Sequence, residues 1–295
     1  MNRSTANARP TRILLQTTIP YSADDWHVGR FGLLADEMRR MRADDGSPLV
    51  ELTTRNREPS ADGNDPVLAG IAESDFDQVW LIAVDTGGDT GVTEAECRAL
   101  AAFRAGGGAL FSTRDHQDLG ASICSLGGIG AAHFFHSTQH DPDASRNTRD
   151  DPYTTAIDFP NYHSGANGDV QHVTAPAPEH PVTRGVATLP AHPHEGGVGA
   201  PSDDPHARVV LQGISQATQR PFNIAVAFES DGTSGRGWAE STFHHFCDYN
   251  WDTSRGCPSF VEEAPSDALA RNPSLLDDTR TYVHQLVRWL GVRAN

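Results

Sequence analysis

The chain contains no lysine: all 23 of its basic residues are arginine. Without an amine side chain there is no catalytic Schiff base, no anchor for pyridoxal phosphate and no lysine for a phosphate-binding loop, so whole mechanistic classes drop out. Long apolar runs are missing as well. None approaches the roughly 18 residues of a membrane span, and the polar stretch over residues 1–10 lacks the apolar core of a secretory signal. It reads as a disordered tail, and a cytoplasmic location follows. Cysteine is scarce, with Cys97, Cys124, Cys247 and Cys257 in no CxxC spacing, so free thiols are expected rather than disulfides or a structural zinc site. The formal charge of -16 argues against a nucleic-acid footprint and against docking on an anionic membrane. The partner expected is a small-molecule substrate, and a homo-oligomer is compatible with this composition.

Histidine, by contrast, is plentiful at fourteen residues, and three clusters of it fall just past segments that read as buried strands. The run Arg12-Ile13-Leu14-Leu15-Gln16-Thr17-Thr18 leads to His27. Gly108-Ala109-Leu110-Phe111-Ser112-Thr113 runs into Asp115-His116, and Trp238-Ala239-Glu240-Ser241-Thr242-Phe243 into His244-His245. Ligands of open α/β sheets bind outside the carboxyl ends of the strands, where side chains from different strands converge.

The wider pattern supports such a sheet. Residues 12–18 read as a strand, and a helix over residues 26–42 places Phe31, Leu33, Leu34 and Met38 near one face. Residues 49–54 give a second strand, and residues 79–84 a strand apolar enough to be buried on both faces. Thr93 with Glu96 forms a capping box opening a helix that runs to Ala105, and Gly106-Gly107-Gly108 ends it before a strand over residues 109–113. Residues 137–205, rich in Asp, Pro, Gly, Asn and His, read as an irregular insertion of the kind used for lids, functional loops or oligomer contacts. Strands over residues 208–212, 222–228 and 238–243 follow, then an amphipathic helix over residues 279–292. This order predicts one α/β domain over residues 11–295, a mostly parallel sheet flanked by helices with long loop insertions.

Three stretches resemble a known family. They are Gly106-Gly107-Gly108-Ala109-Leu110-Phe111-Ser112-Thr113-Arg114-Asp115-His116, then Ala175-Pro176-Ala177-Pro178-Glu179-His180-Pro181-Val182-Thr183-Arg184-Gly185, and Gly235-Arg236-Gly237 before the strand that runs into His244-His245. Together they resemble the class I glutamine amidotransferase-like, flavodoxin-like fold and, within it, the ThuA-like group associated with trehalose utilisation. The resemblance implies handling of keto-sugars or related carbohydrates, with a divalent metal in some members. An amidotransferase of this fold carries a nucleophilic cysteine in the turn after the residue 109–113 strand. Here that turn carries Arg114-Asp115-His116, and Cys124 lies too far along the chain, so glutaminase chemistry is disfavoured.

The residues suggest a metal site instead. His192-Pro193-His194-Glu195 offers two imidazoles and a carboxylate in four residues, ligand types that zinc takes in tetrahedral sites. The expected ligands are His116, His194, Glu195 and His244, holding a divalent ion, zinc first, with iron or manganese as alternatives. The bland reading of the motif is a polar surface loop. Asp115, His116 and Glu195 are the expected acid/base groups, against a plain alternative in which Asp115 caps a helix starting near Gln117. His27, Trp26, Arg114 and His245 are expected to contact substrate. On a continuing strand His244 and His245 point to opposite sides, and His244 is favoured for the pocket. His133 and His136 form a second candidate pair. The leading reading is a metal-dependent hydrolase or isomerase acting on a small polyhydroxylated or carbonyl substrate. The rivals are metal-free acid/base chemistry by His116 and Glu195 on a keto-sugar, and a non-catalytic ligand-binding or assembly protein on the same scaffold.

Overall fold

A computed structural model describes residues 9–87, 90–150, 154–291 and 293. Its strands are β1 (Thr11–Thr17), β2 (Val50–Arg55), β3 (Gln78–Ile82), β4 (Ala109–Thr113), β5 (His133–Phe134) and β6 (Val170–Thr174). They continue with β7 (Thr188–Pro190), β8 (Gly197–Val198), β9 (Ala207–Ile214), β10 (Pro221–Phe228) and β11 (Gly237–Glu240). Nine of them make one sheet in the order β2-β1-β3-β4-β11-β10-β9-β6-β7, and β5 pairs with β8. From β2 to β11 every pairing is parallel. From β11 to β7 every pairing is antiparallel.

The parallel half is sandwiched between two apolar layers. Ile13 and Leu15 of β1 and Trp80 and Ile82 of β3 face one layer, with Leu34 and Met38 of the helix Gly32–Arg40 and Tyr282, Leu286 and Trp289 of the helix Asp277–Leu290. Leu14, Val79, Leu81 and Leu110 face the other, against Leu100 and Phe103 of the helix Glu94–Ala105. The two-residue alternation of a strand sends neighbours to opposite faces, so both faces must be apolar when both are covered. Each such leucine or isoleucine contributes roughly 1.5–3 kcal/mol by burial.

Several local expectations are met and others shift. The capping box at Thr93 and Glu96 forms in both directions. The helix read over residues 26–42 is a short 3-10 turn, Val28–Phe31, followed by the α-helix Gly32–Arg40. No helix begins at Gln117: residues 117–120 are turns, and the Asp115 carboxylate is engaged with Thr242 Oγ1 at 2.9 Å. The last strand stops at Glu240 rather than Phe243. Thr242 then caps a 3-10 turn, Phe243–His245, by accepting from His244 N at 3.1 Å. Residues 137–205 are less irregular than their composition suggests, because they supply β6 and β7 to the main sheet and β8 to the small one. The expected disordered tail lies outside the described residues except for Arg9 and Pro10, and Arg9 is held by Asp77 at 2.6 Å. Val292, the expected end of the last helix, also lies outside them. Among the described residues no helix is long and apolar enough to cross a membrane.

Candidate metal centre

Because β1, β3, β4 and β11 are parallel, their carboxyl ends open on one edge of the sheet, and the segments leaving them wall a single cleft. After β1 come Ile19, Tyr21 and Trp26; after β3, Val84, Thr86 and Thr90; after β4, Asp115, His116 and Leu119; after β11, His244. The loop following β7 adds His192 and His194, and Phe260 to Glu263 form the outer wall. The cleft has a volume of about 1090 Å³, ample for a small molecule.

At its floor His192 and His244 lie face to face, with ring centroids 3.4 Å apart and planes 12° from parallel. Their orientation is set by a chain of amides. The Asn250 side chain donates Nδ2 to Ala191 O and to Asn167 Oδ1, both at 2.9 Å, which turns its own Oδ1 toward His244 Nδ1 at 2.8 Å. Asn167 Oδ1 in turn faces His192 Nδ1 at 2.7 Å. An amide oxygen only accepts, so both imidazoles carry a proton on Nδ1. Among the described residues His192 Nε2 is buried with no hydrogen-bond partner. Burial, reinforced by the neighbouring His244, holds His192 well below the usual histidine range, so the ring is neutral. Metal-ligating histidines are held in the same way, one nitrogen fixed by a hydrogen-bond acceptor and the other left open.

Asp115 completes the floor. Its Oδ2 is 3.5 Å from His244 Nε2 and 3.0 Å from His116 Nδ1, and its Oδ1 accepts from Thr242. Burial alone would raise this carboxyl, but the charges and hydrogen bonds of His116 and His244 outweigh it and hold Asp115 well below the usual carboxylate range. Two donor sets result, Asp115 with His192 and His244, and His116 with His192 and His194, their ligand atoms within 4.8 Å of one another. Ligands of a tetrahedral zinc with bonds of ~2.1 Å lie about 3.4 Å apart. The Asp115–His244 spacing is close to that edge, and the donors suit a small divalent cation in type. Glu263 Oε1 stands 3.6 Å from His194 Nε2.

Of the expected site residues, His116, Asp115, His194, His244 and Trp26 are brought together. Glu195 is not, and this corrects the expected ligand set. Its carboxylate is fully buried behind the floor, accepting from Ser241 Oγ at 3.0 Å and from Gln171, and facing His245 Nε2 at 3.3 Å. His245 is therefore not a substrate contact either. It is clamped between Glu195 and Glu240; burial would lower its pKa, but the two carboxylates prevail and push it up to about 9. Arg114 is fully buried, its guanidinium 4.4 Å over the Phe135 ring, with its pKa drawn down to about 9 by burial. His27 accepts from Gly29 N at 3.1 Å as the cap of a 3-10 turn and packs on Tyr21, and it does not line the cleft. His133 and His136 do not pair: His133 Nε2 meets Ser112 Oγ at 2.8 Å, whereas His136 faces Asp158. His192, omitted from the expected ligands, belongs to both donor sets. Its signal was present in the His192-Pro193-His194 motif, whereas Asn167, Asn250 and Glu263 carried none.

All four cysteines are free. Cys247, 3.7 Å from His244 Nδ1, has its thiol pushed up by burial and is not a thiolate.

No protein-family model matches the chain, and no curated protein matches it in sequence. Among solved structures the chain is similar to the mmIFT52 N-terminal domain, at 12% identity over 94% of this chain and 96% of that one, with a TM-score of 0.50. It is also similar to the glutaminase domain of Trypanosoma brucei CTPS, at 14% identity over 94% and 92% of the two chains, TM-score 0.46. A protein described as ThuA-like from Bacteroides uniformis is 12% identical over 97% and 93%, TM-score 0.45. These are likenesses of fold alone and carry nothing about activity.

Proposed function

We propose that the chain is a metal-dependent enzyme, a hydrolase or isomerase, that acts on a small polyhydroxylated or carbonyl-bearing substrate. The observation that carries this reading is the buried His192 Nε2, bare and unpartnered among the described residues, while Asn167 fixes the other ring nitrogen. An orphaned buried acceptor costs about 1–3 kcal/mol, and a cation at that point offsets the cost. His192 would hold the ion together with His244 and Asp115 or with His116 and His194; zinc suits these nitrogen-and-carboxylate sets best.

Zinc bound there supplies Lewis-acid polarisation of a carbonyl oxygen or of water. The chain's own residues do the rest. Asn167 and Asn250 accept from the Nδ1–H groups of His192 and His244 and so fix both rings. Glu263, beside His194 on the outer wall, is the carboxylate placed to take a proton from the reacting group and return it. Glu195, expected in that role, is sealed behind the floor. Ile19, Trp26, Val84 and Leu119 shield the floor with apolar surface.

A second reading, acid/base chemistry without metal, has one specific support: the 3.0 Å contact of Asp115 Oδ2 with His116 Nδ1, which orients that ring as a general base. One experiment separates the two. Protein stripped by chelator and reloaded with zinc is assayed on esters, amides and keto-sugars beside Glu263→Gln. Metal-dependent turnover that drops about 10²–10⁴-fold in Glu263→Gln, with zinc content unchanged, is the expected result. Turnover indifferent to zinc and lost in His116→Ala favours the second reading.

A further inference from the structure

The walls of the cleft add something that the donor set does not: a charge and a surface chemistry. Asp25, Glu262 and Glu263 line the cleft beside Asp115, and among the described residues the one guanidinium lining it is that of Arg57. Arg57 is 3% exposed, with its Nε and Nη2 on the Glu96 carboxylate at 3.0–3.2 Å and Nη2 also on Gly63 O. Its charge is neutralised from behind. Arg30 stands near the rim but spends its donors on the carbonyls of Ala23, Asp25 and Gly256. Among the described residues no guanidinium pairs with Asp25 or Glu262.

The rim is also aromatic. Tyr21 and Phe260 are 65% and 57% exposed, two of the three large apolar side chains left open to solvent among the described residues, and both line this cleft with Trp26. Placing aromatic side chains on a wet rim costs burial unless a ligand covers them, and a rim of aromatic faces and carboxylates suits a cation carried on an organic body. At the rim, away from the floor where the ion would sit, an anionic group would meet the like charge of Asp25 and Glu262.

Resting on the metal-site reading above, we infer that the substrate is an organic cation, an amine-bearing polyhydroxylated or carbonyl compound, with its charged end held at the acidic aromatic rim and its reacting group at the histidine floor. The carboxylates at the rim select for charge, and the aromatic rings cover the carbon body.

The test uses three benzhydroxamates that share one chelating head: 4-aminomethyl, unsubstituted and 4-carboxy. Their binding to the zinc-loaded protein, to His192→Ala and to an Asp25→Asn/Glu262→Gln variant is measured by calorimetry at low ionic strength. We expect the aminomethyl compound to bind at least about tenfold tighter than the carboxy compound, a modest share of what a carboxylate a few ångströms away exerts near a protein surface. The preference should shrink severalfold in the Asp25→Asn/Glu262→Gln variant and at high salt. Equal affinities, or a preference for the carboxy compound, overturn the inference. If His192→Ala binds all three as tightly as the zinc-loaded protein does, the metal-site reading falls instead, and the charge preference is read from the same titrations. Failure of all three to bind the zinc-loaded protein overturns both.

Discussion

At the scale of single residues, the centre depends on who holds whose proton. Ala191 O fixes the Asn250 amide, Asn250 fixes Asn167, and the two amides accept from Nδ1 of His244 and His192, while the buried His192 Nε2 is left bare. Replacing Asn167 by Leu removes the acceptor and frees the His192 ring. We expect metal affinity to fall by about 10–100-fold with the fold intact, as for other groups that orient metal ligands; zinc competition against a chromophoric chelator reads it directly. Outside the donor sets, two further histidines contribute to acid stability. Burial draws His133 down to about 3 and His180 to about 4. The unfolded chain takes up protons on these side chains below about 6.5 while the folded chain does not, so stability falls as pH drops from about 6.5 toward 4. His133→Gln should flatten that limb of a melting-temperature profile of metal-free protein. An unchanged slope would show that His133 is not a buried neutral group.

At the scale of elements, the turn after β4 aims the cluster. Gly120 closes it in the left-handed region at φ +86, with its N–H on Asp85 O at 2.7 Å. A Cβ there would lie 2.9 Å from Ala83 Cβ and 3.3 Å from Arg114 Cα. Gly120→Ala should therefore cost about 1–3 kcal/mol of stability and weaken metal binding together, because Asp115 and His116 ride on the same turn. Thr93→Ala, removing a cap on the remote helix Glu94–Ala105, should cost about 1 kcal/mol and leave metal binding alone. Equal effects on metal binding from the two variants would mean that the turn does not position the ligands. These elements also mark how far the sequence could be read. Both faces of β3 and β4 are apolar and the capping box is local, so strands, helix and histidines at strand ends were legible. The break at Ser241 was not. The run on to Phe243 looks like strand, but Thr242 bonds Asp115 and His244 N, and Phe243 N bonds Arg114 O, contacts with residues distant in the chain among them, where the segment leaves the sheet.

At the scale of the whole molecule, what escaped the sequence is whatever depends on long-range closure. Glu195 lies next to a true cleft residue, yet pairing of Glu195 with Tyr162 turns its carboxylate inward to His245. Glu263 belongs to a segment without periodicity. It reaches His194 because Ser259 is tied to Asp24 at one end and Ser266 N to Asn167 O at the other. Asn167 thus anchors both the His192 ring and the loop that brings in Glu263, which makes the floor and the outer wall of the cleft one assembly. The parallel half of the sheet supplies the strand ends, and the antiparallel half returns β7 and its following loop to deliver His192 and His194.

The central claim is that this assembly holds a divalent ion. The direct measurement is metal content by elemental analysis of protein purified without chelator or affinity-tag metal, beside His192→Ala checked for folding by circular dichroism. About one equivalent of zinc, iron or manganese in the parent protein and none in folded His192→Ala is the predicted result. A well-folded parent with no stoichiometric metal that also fails to take up zinc on titration would contradict it.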